Sequence, residues 1–128
     1  MLQDKAQNEI IEIFKQHNAL LSGHFRLSSG NHSPNYLQCA LVLQWPKLAE
    51  RLCRMLAQKW ANEKIDKVCA PAIGGIIVSF ELARFLDAAG IFMERIHGKM
   101  TLRRGFTIQK GERVLVAEDV ITTGSSTL

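Results

Sequence analysis

Cysteine is scarce in this sequence, and what there is does not pair. Cys39, Cys53 and Cys69 are the three cysteines, far apart and without a CxxC. An odd, scattered set argues against a disulfide framework and against a zinc site. The thiols are therefore read as reduced and the protein as cytoplasmic. Long hydrophobic runs are also missing, and no stretch approaches the roughly 20 apolar residues of a membrane span. Asp4 and Glu9 fall where a secretory signal would carry its apolar core, so none is expected. Basic charge is present but not concentrated. Sixteen Lys and Arg against twelve Asp and Glu give a net charge of +4. A nucleic-acid binder usually gathers such residues into a stripe, so no nucleic-acid partner is expected, and a small anionic ligand suits the mild excess better. Neither GxxxxGK[ST] nor GxGxxG occurs, which excludes a Walker A loop and a dinucleotide fingerprint. Repeats and low-complexity tracts are absent.

The chain has 128 residues, 47% of them hydrophobic and 22% charged, an ordinary globular composition. A domain of this size buries about two-thirds of its unfolded surface. Ala6, Ile10, Ile13, Phe14 and His17 recur at helical spacing and predict a helix over 3–17. Residues 20–38 alternate turn formers with Phe25, Leu27, Tyr36 and Leu37, the pattern of small strands or a hairpin. A second helix is expected over 46–62 with Pro46 in its first turn, facing Leu48, Leu52, Met55, Leu56 and Trp60 inward. A strand at 67–70 ends at Pro71. Gly74 and Gly75 open a helix to about Asp87, which Gly90 ends. Another strand spans 91–94, residues 97–105 read as a mobile loop, and Lys110-Gly111 is a turn. Residues 113–117 read as the clearest buried strand. Strands alternating with helices predict an α/β fold with a parallel sheet. Ligands in such sheets lie beyond the carboxyl ends of the strands. Three polar loops, 71–75, 95–105 and 118–126, leave from those ends.

The strongest chemical signal is the string from Val114 to Ser126, VLVAEDVITTGSS. An apolar strand ends in two carboxylates, and a turn rich in hydroxyls and glycine follows where a helix should start. Successive backbone N–H groups there form an anion nest, and a helix N-terminus adds positive potential. Glu118 and Asp119 cannot bind phosphate. Ribose hydroxyls and a phosphate-bound Mg²⁺ are natural partners for them. The plainer reading is a strand, an acidic turn and an N-cap hydroxyl, which suffices for an isolated TTGSS but leaves the rest of the string unexplained.

This string resembles the phosphoribosyl-pyrophosphate (PRPP) signature of the type I phosphoribosyltransferases. Three further segments narrow the family. Gly23 to Gly30 followed by His32-Ser33-Pro34-Asn35-Tyr36 is similar to the N-terminal hood of orotate phosphoribosyltransferases. Pro71 to Ile76 resembles that family's pyrophosphate-side loop, and Glu94 to Gly105 its catalytic loop. The resemblance covers nearly all of residues 10–128. It implies a type I phosphoribosyltransferase-like, Rossmann-like α/β fold, with an N-terminal helix and hood over 1–40 and a partial core over 41–128. It implies transfer of phosphoribosyl from PRPP to orotate, giving orotidine 5′-monophosphate and pyrophosphate. Glu118 and Asp119 would hold the ribose hydroxyls, with Val120 and Ile121 beside them, and Thr122, Thr123, Gly124, Ser125 and Ser126 the 5′-phosphate. Arg95 and Lys99 would face the pyrophosphate, with Lys99 and Asp119 as catalytic residues. Thr122, Tyr36 and Leu37 would meet orotate. Mg²⁺ would be held mainly by PRPP, with no direct protein ligand. The resemblance also implies a homodimer in which Lys99 serves the partner's site.

Ser28, Gly74 and Ile96 stand where many members carry basic residues, and Arg26, Arg103 and Arg104 are candidates to compensate. The family's further strands and an arginine for the orotate carboxylate have no counterpart here. The C-terminal part of the fold is therefore expected to be missing, and residues 1–128 by themselves are expected not to turn over. His24 and His32 read as hydrogen-bonding surface residues, Trp45 and Trp60 as packing residues, and Arg51, Arg54, Lys59 and Lys64 as a solvated helix face. Competing functions are a PRPP or nucleotide sensor without catalysis and a purine-type phosphoribosyltransferase.

Overall fold

The computed structural model describes residues 2–27 and 29–121. It divides into two compact units, residues 1–48 and 49–128.

The first unit opens with helix α1 (Leu2–Gln16). Ile13 is its buried anchor, with Ala6, Ile10, Phe14 and His17 half-buried around it, the expected stripe. The His17 Nδ1 lies 2.9 Å from the Ile13 carbonyl, and Asn18 adopts a left-handed φ of 55°, a conformation Asn tolerates better than most residues. Strands β1 (Leu20–Arg26) and β2 (His32–Leu37) form an antiparallel hairpin with an irregularity between Ser22 and Phe25. The Phe25 and Tyr36 rings meet at 5.7 Å. His24 Nε2 and His32 Nδ1 lie 2.5 Å apart across the exposed hairpin. A four-residue helix, α2 (Ala40–Leu43), buries Val42 and Leu43; it is too short to show a helical period in the sequence. Trp45, expected to pack, is 54% exposed.

The boundary between the units falls within helix α3 (Pro46–Ala57), which ends earlier than expected and passes into a 3₁₀ turn at Gln58–Trp60. Its buried residues are Ala49, Cys53 and Ala57, while Leu52, Met55, Leu56 and Trp60 are only half-buried. Small residues at i, i+4 and i+8 make the closest-packed line of this helix.

The second unit is built on a four-stranded sheet in the order β5-β4-β3-β6. Strand β3 (Lys67–Pro71) lies inside it, with Val68, Cys69 and Ala70 buried. Helix α4 (Gly75–Leu86) packs on β3 and on β4 (Ala89–Ile96) through Val78, Ser79, Leu82 and Ala83. The left-handed residue that ends α4 is Asp87, at φ 53°, not Gly90. Gly90 lies within β4, where a Cβ would come within 3.2 Å of the Phe80 Cα and 3.3 Å of the Ser79 carbonyl oxygen. Helix and strand cross there too closely for a side chain.

Strands β3, β4 and β6 (Val114–Val116) are mutually parallel, with Val68 facing Gly90 on one side and Leu115 on the other. Their carboxyl ends therefore share one edge of the sheet. Two expectations need correction. Residues 99–102 are not an open loop: Lys99–Leu102 forms β5, antiparallel to β4, with Lys99 opposite Ile96. Strand β6 is not deeply buried either. Among the described residues β3 is its only strand partner, and Val116 is 54% exposed. Its entry is tied down by polar contacts, from the Arg113 N–H to Asp66 Oδ2 at 2.8 Å and from Arg113 to Glu63 at 2.9 Å. No helix among the described residues is long and apolar enough to cross a membrane.

Candidate active site

At the shared edge, β6 delivers Glu118 and Asp119, β3 delivers the loop 72–74, and the β4–β5 hairpin carries Arg95 and Lys99. The parallel topology brings these segments to one end of the sheet.

Beyond β6, Ala117 is buried and its N–H bonds the Cys69 carbonyl at 2.9 Å. This fixes the next two residues relative to β3. Glu118, Asp119 and Val120 are half-buried and Ile121 is 68% exposed. Asp119 Oδ1 accepts the Val120 N–H at 2.9 Å. Burial, reinforced by the hydrogen bond and the negative charge of Asp119, pushes the Glu118 carboxyl up to about 7. A carboxyl that keeps its proton this high can donate to a hydroxyl as well as accept from one.

The loop 72–74 runs from β3 into α4. The Ala72 N–H bonds the Met93 carbonyl at 2.7 Å and the Ile76 N–H bonds Ile73 at 3.2 Å. The Ala72–Ile73 peptide is cis. Gly74 is the N-cap of α4 and offers no side-chain cap. A Cβ at Gly74 would overlap the Asp119 carboxylate, approaching its Cγ to 2.9 Å and Oδ1 to 3.1 Å. Sequence reasoning assigned Gly74 no role; the neighbouring glycines marked only a helix start.

On the hairpin, Arg95 and Lys99 are exposed. The Arg95 guanidinium donates to the Gly98 carbonyl at 2.9 Å across the turn. Arg104, a candidate to replace missing phosphate-side lysines, is committed elsewhere. Its Nε and NH2 both reach Glu94 at 2.9 Å, and it lies over the Phe92 ring, which Phe106 meets edge-on at 5.1 Å. The Arg104 hydrogen bond holds the Glu94 carboxyl below the usual range. This brace was not legible, because residues 94 and 104 face each other only once the hairpin exists. Arg103 stands 4.0 Å from Glu94 and stays half-exposed. Tyr36 and Leu37 lie on β2 of the first unit and are 37% and 41% exposed. Thr122, Thr123, Gly124, Ser125 and Ser126 lie outside the described residues, as does Ser28.

Among the described residues no group of three or more His, Cys, Asp or Glu side chains could hold a metal. The acidic pair by itself is not a complete cation site, which suits an ion that brings phosphate oxygens and water as its ligands, the usual habit of Mg²⁺.

The mixed α/β sheet has the fold of the type I phosphoribosyltransferases. The orotate phosphoribosyltransferase of Aeropyrum pernix superposes with a TM-score of 0.66 at 24% identity, covering 90% of this chain and 66% of that one. No protein-family model matches. The orotate phosphoribosyltransferase of Pelotomaculum thermopropionicum is 61% identical over 120 residues, and that of Desulforamulus reducens 55% identical over 120 residues. Each match covers 94% of this chain and 63% of the relative. The chain is similar to these orotate phosphoribosyltransferases, and it spans a little under two-thirds of their length.

Proposed function

We propose that the native gene product transfers the phosphoribosyl group of PRPP to orotate, releasing pyrophosphate and forming orotidine 5′-monophosphate. The observation that carries this reading is the Glu118–Asp119 pair, seated at the carboxyl end of β6 against the loop that opens α4. The names of the relatives support the choice of orotate over a purine base.

In the reaction, orotate N1 attacks C1 of the ribose as an anion. The N1–C1 bond forms and the bond from C1 to the pyrophosphate oxygen breaks. Positive charge builds on the sugar and negative charge on the leaving group. Little proton transfer is required, so the protein contributes position and electrostatics. Asp119 and Glu118 hold the ribose hydroxyls, and negative charge on the pair favours the positive sugar. Thr122 to Ser126 take the 5′-phosphate, and Val120 and Ile121 lead the chain into that turn. Arg95 and Lys99 face the pyrophosphate. Mg²⁺, held mainly by PRPP, supplies charge neutralisation on the leaving group when bound. Tyr36, Leu37 and Thr122 meet the orotate. The site works in a homodimer, with Lys99 serving the partner's site, and in the cytoplasm.

Mixing a Lys99→Ala protomer with one disabled by Asp119→Asn tests the shared site. Heterodimers should regain one working site in two. Confirmed heterodimers without recovered turnover would show that Lys99 acts within its own protomer. Thermal shift separates orotate from a purine base: orotate with PRPP should stabilise the protein, and hypoxanthine should not.

A further inference from the structure

We propose that Gly74 is a positioning residue for Asp119: the missing side chain at the start of α4 leaves the space in which the Asp119 carboxylate is seated. The inference rests on the functional reading above for its consequence, but not for its geometry. Glycine at this position has no conformational cause. Gly74 adopts φ −60° and ψ −31°, right-handed helical values open to any L-residue. Nor does capping explain it, since Ser, Asp or Asn would be preferred at an N-cap and would satisfy a helix N–H that glycine leaves uncapped. Close approach remains. A Cβ would overlap the carboxylate and lie 2.9 Å from its Cγ.

Any adjustment falls to the end of the Asp119 side chain. The loop backbone is pinned by the hydrogen bond from Ala72 to Met93. The adjoining Gly75 is itself pressed on β3, where a Cβ would come within 2.8 Å of the Ala70 Cβ. On the other side, Asp119 Oδ1 is held by the Val120 N–H and Ala117 is tied to β3. Turning Asp119 out of its seat costs the rotamer and the hydrogen bond. A side chain at 74 therefore directly reaches the carboxylate proposed to hold the ribose.

The test is a double-mutant cycle in the native gene product, combining Gly74→Ala with Asp119→Ala and reading both Mg·PRPP binding and ligand-free melting. With Asp119 present, Gly74→Ala should raise KM for PRPP about tenfold and change kcat by less than about threefold. With Asp119→Ala, the same substitution should have little further effect on PRPP or on melting, because the overlapping group is gone. Gly74→Lys should also weaken PRPP binding. Equal losses in both backgrounds, or tighter PRPP binding by Gly74→Lys, would overturn the proposal. Should Gly74→Ala alone not fold, the double variant should; failure of both would also overturn it. The melting cycle needs no ligand. A native protein that binds no PRPP would therefore refute the functional reading while the cycle still decides the seat.

Discussion

Glu118 and Asp119 are neighbours in the chain, and burial beside Asp119 pushes the Glu118 carboxyl up to about 7. Asp119→Asn keeps the shape but removes the carboxylate from the proposed ribose contact. It should weaken PRPP binding by roughly 1–3 kcal/mol, the scale of a lost charged hydrogen bond; unchanged affinity in a calorimetric titration of the folded variant would count against the role. Glu118 makes a second prediction. Its carboxyl titrates higher in the folded protein than in the unfolded chain, so the native state binds the extra proton between the ordinary carboxylate range and pH 7. Stability should therefore fall as pH rises through that window. The group is only half-buried, so screening by the solvent it still meets limits the effect to on the order of 1 kcal/mol. Glu118→Gln should flatten the dependence of melting temperature on pH between 5 and 8, and an unaltered slope would show that another group titrates.

At the scale of elements, α4 and the β4–β5 hairpin bear the site from two sides. Leu82 is 1% exposed against the sheet. Leu82→Ala should cost about 2–5 kcal/mol in chemical denaturation, and a smaller loss would mean that α4 packs more loosely than described. The hairpin brace is weaker, because Arg104 and Glu94 meet near solvent. Arg104→Ala should lower the melting temperature only slightly at neutral pH. Since Glu94 titrates below its ordinary range, that contribution should be present at neutral pH and vanish as acid protonates Glu94. A difference in melting temperature that persists at low pH would contradict the pairing. Much of this architecture was legible. Apolar periodicity marked α1, the Gly74-Gly75 pair marked the start of α4, and short apolar runs marked β3 and β6. The turn chemistry at Gly30 and Gly111 placed the hairpin and the entry to β6. The losses have physical causes. Strand β5 is only four residues of mixed polarity, and its polar, glycine-flanked sequence looks like a loop until β4 pairs with it. The buried line of α3 is made of Ala49, Cys53 and Ala57, which a search for large apolar residues passes over. Gly74 was invisible as a partner of Asp119 because 45 residues separate positions 74 and 119.

At the scale of the whole molecule, a parallel arrangement of β3, β4 and β6 sends three polar segments to one sheet edge. On the function proposed above, the acidic pair would take the sugar, the glycine loop would leave room for it, and the hairpin would bring basic side chains to the leaving group. A sensor that binds PRPP without turnover would need the first two and could dispense with Lys99. Pyrophosphate release by the native gene product therefore tests the central claim most directly. Release should require PRPP, orotate and Mg²⁺ together, and Lys99→Ala should lower kcat by about 10²-fold, the scale of a lost transition-state contact. PRPP binding without orotate-dependent release, or release that proceeds equally well with hypoxanthine, would contradict it.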